Sequence, residues 1–162
     1  MKKKPREGSA RSGYERGIGL LARREHSARE LKAKLTARGH ARDEASEAVE
    51  RLQQQEYQSD TRFAASVARQ RSGQGYGPRR IQAELRSHGL ADAAIRVVIE
   101  ELQVDWNALA ATQLRRRHGG RSLTDTAERA ACAAFLLRRG FDPATVRAVT
   151  RAEVDDPGEE VG

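Results

Sequence analysis

Four histidines, one cysteine and thirty basic side chains are the groups in this 162-residue sequence that could do chemistry. His26, His40, His88 and His118 stand at expected helix ends or in loops, and the sequence offers none of them an acidic or histidine partner at metal-ligand spacing. His40 and His88 flank recurring glycines, which suits the capping of helix C-termini. Cys132 falls on an apolar stripe with Phe135 and Leu136, so a buried, unreactive thiol is expected. A lone cysteine also excludes an internal disulfide framework and a cysteine-based zinc site. The glycine-rich run SGQGYGPRR (72–80) opens a helix, and its amides with Arg79 and Arg80 could hold a phosphate. It has no preceding strand and lacks the Gly-Lys-Ser/Thr ending of a P-loop. It therefore reads as a flexible connector, with a phosphate cradle as the alternative. No Ser/His/Asp or paired-carboxylate arrangement stands out, so neither an enzyme nor a metal or cofactor is expected.

The basic clusters carry the remaining chemistry. They are Arg23 with Arg24; Arg29 with Lys32 and Lys34; Arg69 with Arg71; Arg79 and Arg80 with Arg86; Arg115, Arg116 and Arg117 with Arg121; and Arg138 with Arg139. The chain carries a net +7, unevenly spread. Residues 1–13 carry +4, 14–59 carry +1, 60–104 carry +2, 105–151 carry +5 and 152–162 carry −5. A basic surface implies a polyanionic partner, either nucleic acid or a protein with an acidic face. One cluster alone is most simply a solvated helix face. The set in the last third, where acids are scarce, points to a functional basic surface. The aromatics, Phe63, Trp106 and Phe141 among them, sit on helix stripes or after a glycine and read as core. A base-stacking platform is thus not expected, and nucleic-acid contact would go to phosphates, weakly sequence-specific and salt-sensitive.

The scaffold that would position these groups shows an internal repeat. RELKAKLTARGH (29–40), RRIQAELRSHGL (79–90) and ACAAFLLRRGF (131–141) align on Gly39, Gly89 and Gly140. Four residues before each glycine stand Leu35, Leu85 and Leu136, and eight before stand Leu31, Ile81 and Cys132. That spacing puts a stripe on one helix face, and the glycine ends the helix in a left-handed conformation. A second amphipathic helix follows each, through Ala45, Ala48, Val49 and Leu52, through Ile95, Val98, Ile99 and Leu102, and through Val146 and Val149. A further helix precedes each pair. Tyr14 to Glu25 should bury Ile18, Leu21 and Ala22, and Ser27 with Glu30 should cap its successor. Asp60 to Arg71 should bury Phe63, Ala64, Val67 and Ala68, and Asp105 to His118 should bury Trp106, Leu109, Ala110 and Leu114. Pro78 and Pro143 fall at first helical positions.

The expectation is all-α: nine helices in three tandem three-helix repeats over 14–58, 59–104 and 105–151, stacked into an elongated, curved helical rod. Residues 1–13 and 152–162 read as flexible basic and acidic tails. A hydrophobic content of 38% is low for a β-sandwich or an α/β core but suits helices with one buried stripe each. No run approaches the ~20 apolar residues of a membrane span. The basic N-terminus has no apolar segment behind it, unlike a signal peptide. A cytoplasmic monomer is expected.

LLARREHSARELKAKLTARGH (20–40), the Asp60–Phe63 segment, GPRRIQAELRSHGL (77–90) and FLLRRGF (135–141) together resemble the bacterial RecX family of recombination regulators, over about residues 14–151. The resemblance implies three tandem three-helix repeats. It also implies negative regulation of the RecA recombinase: lodging in the groove of the RecA–DNA filament, blocking extension, promoting disassembly and lowering ATP hydrolysis and strand exchange. It supplies no catalytic residues, so the basic side chains above stand as candidate contacts to RecA and DNA. The sequence departs from the family in its two charged tails and in Ser66-Val67-Ala68, where relatives often carry an aromatic. A general DNA-binding helical module acting without RecA is the alternative.

Overall fold

The computed structural model describes residues 10–151. The acidic segment expected at 152–162 lies outside the described residues, as does the basic segment up to residue 9. Among the described residues the fold is all-α, with nine helices and no strand: α1 (Gly13–Leu21), α2 (Ala28–Ala37), α3 (Arg42–Gln54), α4 (Asp60–Gly73), α5 (Pro78–Ser87), α6 (Asp92–Glu101), α7 (Trp106–His118), α8 (Thr126–Arg138) and α9 (Pro143–Thr150). None of these is long and apolar enough to cross a membrane. Contacts gather the chain into two compact units that divide between Phe63 and Ala64, inside α4.

In the first unit α1 and α2 both pack on α3, around Leu20, Leu31, Leu35, Ala45, Ala48, Val49 and Leu52. Here the structure corrects the sequence reading of the first helix. It stops at Leu21, and its buried line is Gly13, Gly17 and Leu20, with Ile18 and Leu21 only half-buried and Ala22 exposed. The reason is close approach. A Cβ on Gly17 would lie 2.5 Å from Leu52 Cδ1, and one on Gly13 would lie 3.4 Å from Ala48 Cβ. The two glycines thus let the α1 backbone lie against α3, where larger residues would hold it off. Ser12 and Glu15 form a reciprocal capping box at the α1 N-terminus. The Ser27 hydroxyl accepts the Glu30 N–H at 3.0 Å to cap α2.

A buried polar knot then closes this unit. Asp60 Oδ1 accepts the Ala28 N–H at 2.9 Å and a hydrogen of Gln58 Nε2 at 3.0 Å, while Gln58 Nε2 also donates to the His26 carbonyl at 3.1 Å. The acid that opens α4 therefore also satisfies an otherwise orphaned amide at the start of α2.

In the second unit Ala64, Val67, Ala68, Ile81, Leu85, Ile95 and Val98 are buried along α4 to α6. α7, α8 and α9 pack on one another around Ala110, Leu114, Cys132, Ala133, Leu136, Phe141 and Val146.

The three aligned glycines do what their spacing predicts. Gly39, Gly89 and Gly140 have φ of 95, 81 and 90°. In each turn the residue after the glycine donates its N–H to the leucine carbonyl five positions earlier: His40 to Leu35 at 3.2 Å, Leu90 to Leu85 at 3.3 Å and Phe141 to Leu136 at 3.2 Å. The 72–80 run, by contrast, is neither a loose connector nor an open phosphate cradle. α4 continues to Gly73, the Gly77 N–H donates to the Arg139 carbonyl at 2.8 Å, and the Arg79 N–H donates to the Gly140 carbonyl at 2.9 Å. The start of α5 is thereby pinned to the α8–α9 turn, and a Cβ on Gly77 would collide with the Gly140 backbone.

Candidate nucleic-acid interface

The expected basic residues divide by what holds them. Arg71 makes a two-pronged bond to Glu84, at 2.7 Å for each prong. Arg79 pairs with Asp142 and Arg86 with Asp92, both at 2.7 Å. Arg80 and Arg139 lie over the Tyr76 ring at 4.4 and 4.1 Å, and Arg117 over Phe135 at 4.5 Å. Arg139 also donates to the Gln74 and Gly75 carbonyls at 2.6 and 3.3 Å. Among the described residues Arg115 reaches only the neutral Thr112 hydroxyl, at 3.0 Å. Arg121 reaches Glu128 at a long 3.4 Å. Arg23, Arg29, Arg69, Arg116 and Arg138 are exposed, Lys32 is half-buried, and none of these six has an ion pair among the described residues.

Arg24 and Lys34 are held in a network that serves the fold. Both bind the Glu30 carboxylate, Lys34 at 3.2 Å, and Lys34 Nζ also donates to His26 Nε2 at 3.2 Å. Burial alone would raise the Glu30 carboxyl, but the hydrogen bonds from Arg24 and Lys34, with the charges of Arg24 and His26, bring it down to about 2. Burial lowers His26, against the opposing pull of its bond to the Arg24 carbonyl. Both groups bind protons less readily folded than unfolded, so both contributions are complete above their unfolded values and fade as pH falls. The His26 share is lost first, below about 6.5, and the Glu30 share between about 4.5 and 2. Glu30→Gln should cost about 1–2 kcal/mol at neutral pH, after allowing for the half-open position of Arg24. The gap to the wild-type chain should narrow from about pH 4.5 downward, fall to less than half near pH 3 and close only below about 2, as read by urea unfolding across pH. A gap constant from pH 7 to pH 3 would contradict this account.

The remaining histidines also find partners. His40 does have an acidic neighbour, contrary to the sequence expectation: its Nδ1 lies 2.9 Å from Glu44 Oε1, four residues on. His88 is the C-cap residue of α5. His118 Nε2 lies 3.0 Å from Cys132 Sγ, a pair that fourteen residues of separation hide from motif reading. Burial pushes the Cys132 thiol up, Glu128 adds to this and Arg117 opposes it. A fully buried sulfur whose charged form is disfavoured in this way is a poor nucleophile. No group of three or more metal-ligating side chains occurs among the described residues.

One concave surface gathers several cations. A cleft of about 420 Å³ in the second unit is lined by Arg115, Arg121 and His118, and by Arg129 and Arg151. The last two escaped the sequence reading because neither belongs to a cluster along the chain.

Relatives fix the family. Proteins named regulatory protein RecX from Xanthomonas axonopodis pv. citri (strain 306) and Stenotrophomonas maltophilia (strain K279a) are 45% and 43% identical to this chain. The matches cover 95% of both chains for the first, and 96% of this chain and 93% of the relative for the second. The chain belongs to the RecX family. Models of the first and second three-helix domains of RecX match residues 14–52 and 59–99, which run from α1 into α3 and from Ser59 into α6. The crystal structure of RecX from Lactobacillus salivarius superposes with a TM-score of 0.68 at 22% identity, covering 86% of this chain and 92% of that one. A second crystal structure of regulatory protein RecX gives 0.71 at 20% identity, covering 87% and 70%. These structures share the all-helical fold, and a regulatory role comes with membership of RecX. The arginine-lined cleft lies in residues 111–151, beyond both matched domains.

Proposed function

We propose that this protein is a negative regulator of the RecA recombinase that binds the RecA–DNA filament, blocks its extension or promotes its disassembly, and lowers recombinase and ATPase activity. What supports the reading is the set of exposed cations that have no acidic partner among the described residues on a RecX scaffold, Arg23, Arg29, Arg69, Arg116 and Arg138. They are free to meet DNA phosphates or an acidic filament face. On this reading residues 14–58, 59–104 and 105–151 act as three modules of a cytoplasmic monomer. The mechanism is occupancy. A bound regulator shifts the polymer only to the extent that it binds one filament state better than another. Added in substoichiometric amounts, the protein should slow RecA-driven ATP hydrolysis on single-stranded DNA. Arg116→Glu with Arg138→Glu should weaken that inhibition without altering thermal stability. Unchanged hydrolysis at stoichiometric protein would overturn the proposal. Sequence-dependent binding to free duplex would favour a DNA-binding module independent of RecA.

A further inference from the structure

The cleft between the end of α7, the start of α8 and the end of α9 brings four guanidinium groups together, Arg115, Arg121, Arg129 and Arg151, and among the described residues no carboxylate lines it. Among the described residues little neutralises them. Arg115 bonds a hydroxyl, and Arg129 Nε donates to the Leu123 carbonyl at 2.9 Å, which aims the side chain without cancelling its charge. Arg151 is exposed at the end of α9 and has no ion pair among the described residues. Arg121, with a side chain 71% exposed, has among the described residues only the long contact to Glu128 and one of 3.4 Å to the His118 carbonyl. Four like charges against an apolar floor of Leu114, Leu123 and Val149 repel one another unless an anion joins them. Part of that charge complements the C-terminal ends of α7 and α9, but two helix ends carry only about one negative charge between them.

The chemistry that fits is a phosphoryl group. Several oxygens can each meet a guanidinium fork, which a single carboxylate cannot do for four arginines. Among the described residues no Phe, Tyr or Trp lines the cleft, and its one ring is the His118 imidazole beside Cys132, so it offers no broad platform for stacking a base. We propose that this cleft is a phosphoryl-binding site that takes the backbone phosphates of a nucleic-acid strand without reading its bases.

Binding of the full chain to a fluorescent thymidine oligonucleotide, without recombinase, tests the site independently of the filament reading. Arg115→Gln with Arg151→Gln should weaken binding about tenfold at low salt and flatten the slope of log affinity against log salt by about 1.4. A control with the same charge change at exposed Arg42 and Arg96, neither of which lines the cleft, should move affinity less than about threefold. Equal losses from both pairs would mean a diffuse cation effect and would overturn the proposal. Release of the oligonucleotide by pyrophosphate or ATP, lost in the cleft variant, would show that the site takes free polyphosphates as well. Failure of both to release it would mark the strand backbone as the ligand.

Discussion

Gly140→Ala should destabilise the protein by about 3 kcal/mol, and Gly39→Ala, at the matching position of another turn, by only about 1 kcal/mol. Both glycines hold similar positive φ, 90 and 95°, so the conformational part of the penalty is shared. The spaces around them differ. A Cβ on Gly39 meets nothing within 4 Å, whereas one on Gly140 lies 2.5 Å from Arg80 Cβ and 2.6 Å from Arg80 N. Backbone cannot swing aside as a side-chain tip does. Relief would require the α8–α9 turn to part from the start of α5, lengthening the Arg79-to-Gly140 and Gly77-to-Arg139 backbone bonds. Urea midpoints at constant m-value measure the difference, because each variant adds the same methyl to the same type of turn. Equal losses at the two positions would mean that the contact with α5 adds nothing to the strain.

That contrast also marks what the chain disclosed before folding and what it did not. The helix-ending glycines were readable because their signal is local: a leucine four residues earlier, an apolar or ring-bearing residue one later, and a conformation that glycine alone adopts readily. The all-helical fold follows from the same stripes. The first helix was misjudged because its buried face is made of Gly13 and Gly17, which carry no hydrophobic signal, and because its end has no glycine. It is followed instead by a turn in which the His26 ring bonds the Arg24 carbonyl at 3.0 Å. The 72–80 run looked unattached because its partners, Arg139 and Gly140, lie more than sixty residues away.

Charge was the least legible feature. Sixteen basic candidates look alike in the sequence, yet Arg71, Arg79 and Arg86 are committed to Glu84, Asp142 and Asp92. Arg129 and Arg151, isolated along the chain, reach the cleft only because α7, α8 and α9 converge there. A cluster in one dimension is a poor guide to a cluster in three.

Arg138 and Arg139 should separate fully on mutation, although they are neighbours of one type. Arg139→Ala is expected to lose about 2–3 kcal/mol of stability, and Arg138→Ala less than about 0.5 kcal/mol. Arg139 donates to the carbonyls of Gln74 and Gly75, residues 65 and 64 positions away, and stacks over Tyr76. Its removal leaves those acceptors without their charged donor and releases the loop that presents Gly77 to the α8–α9 turn. Lysine should recover less than half of the loss, since a point charge cannot bond two carbonyls and lie flat on a ring together. Arg138 is exposed without an ion pair among the described residues, so its loss should appear in anion affinity and its salt dependence, not in unfolding. Thermal unfolding and oligonucleotide binding on the same two variants read both effects. The opposite pattern, with Arg138→Ala unfolding the chain and Arg139→Ala lowering only affinity, would show that the Gln74–Gly77 loop is held by other contacts. Charge alone cannot assign these two roles, because what distinguishes the residues is the loop that one of them grips.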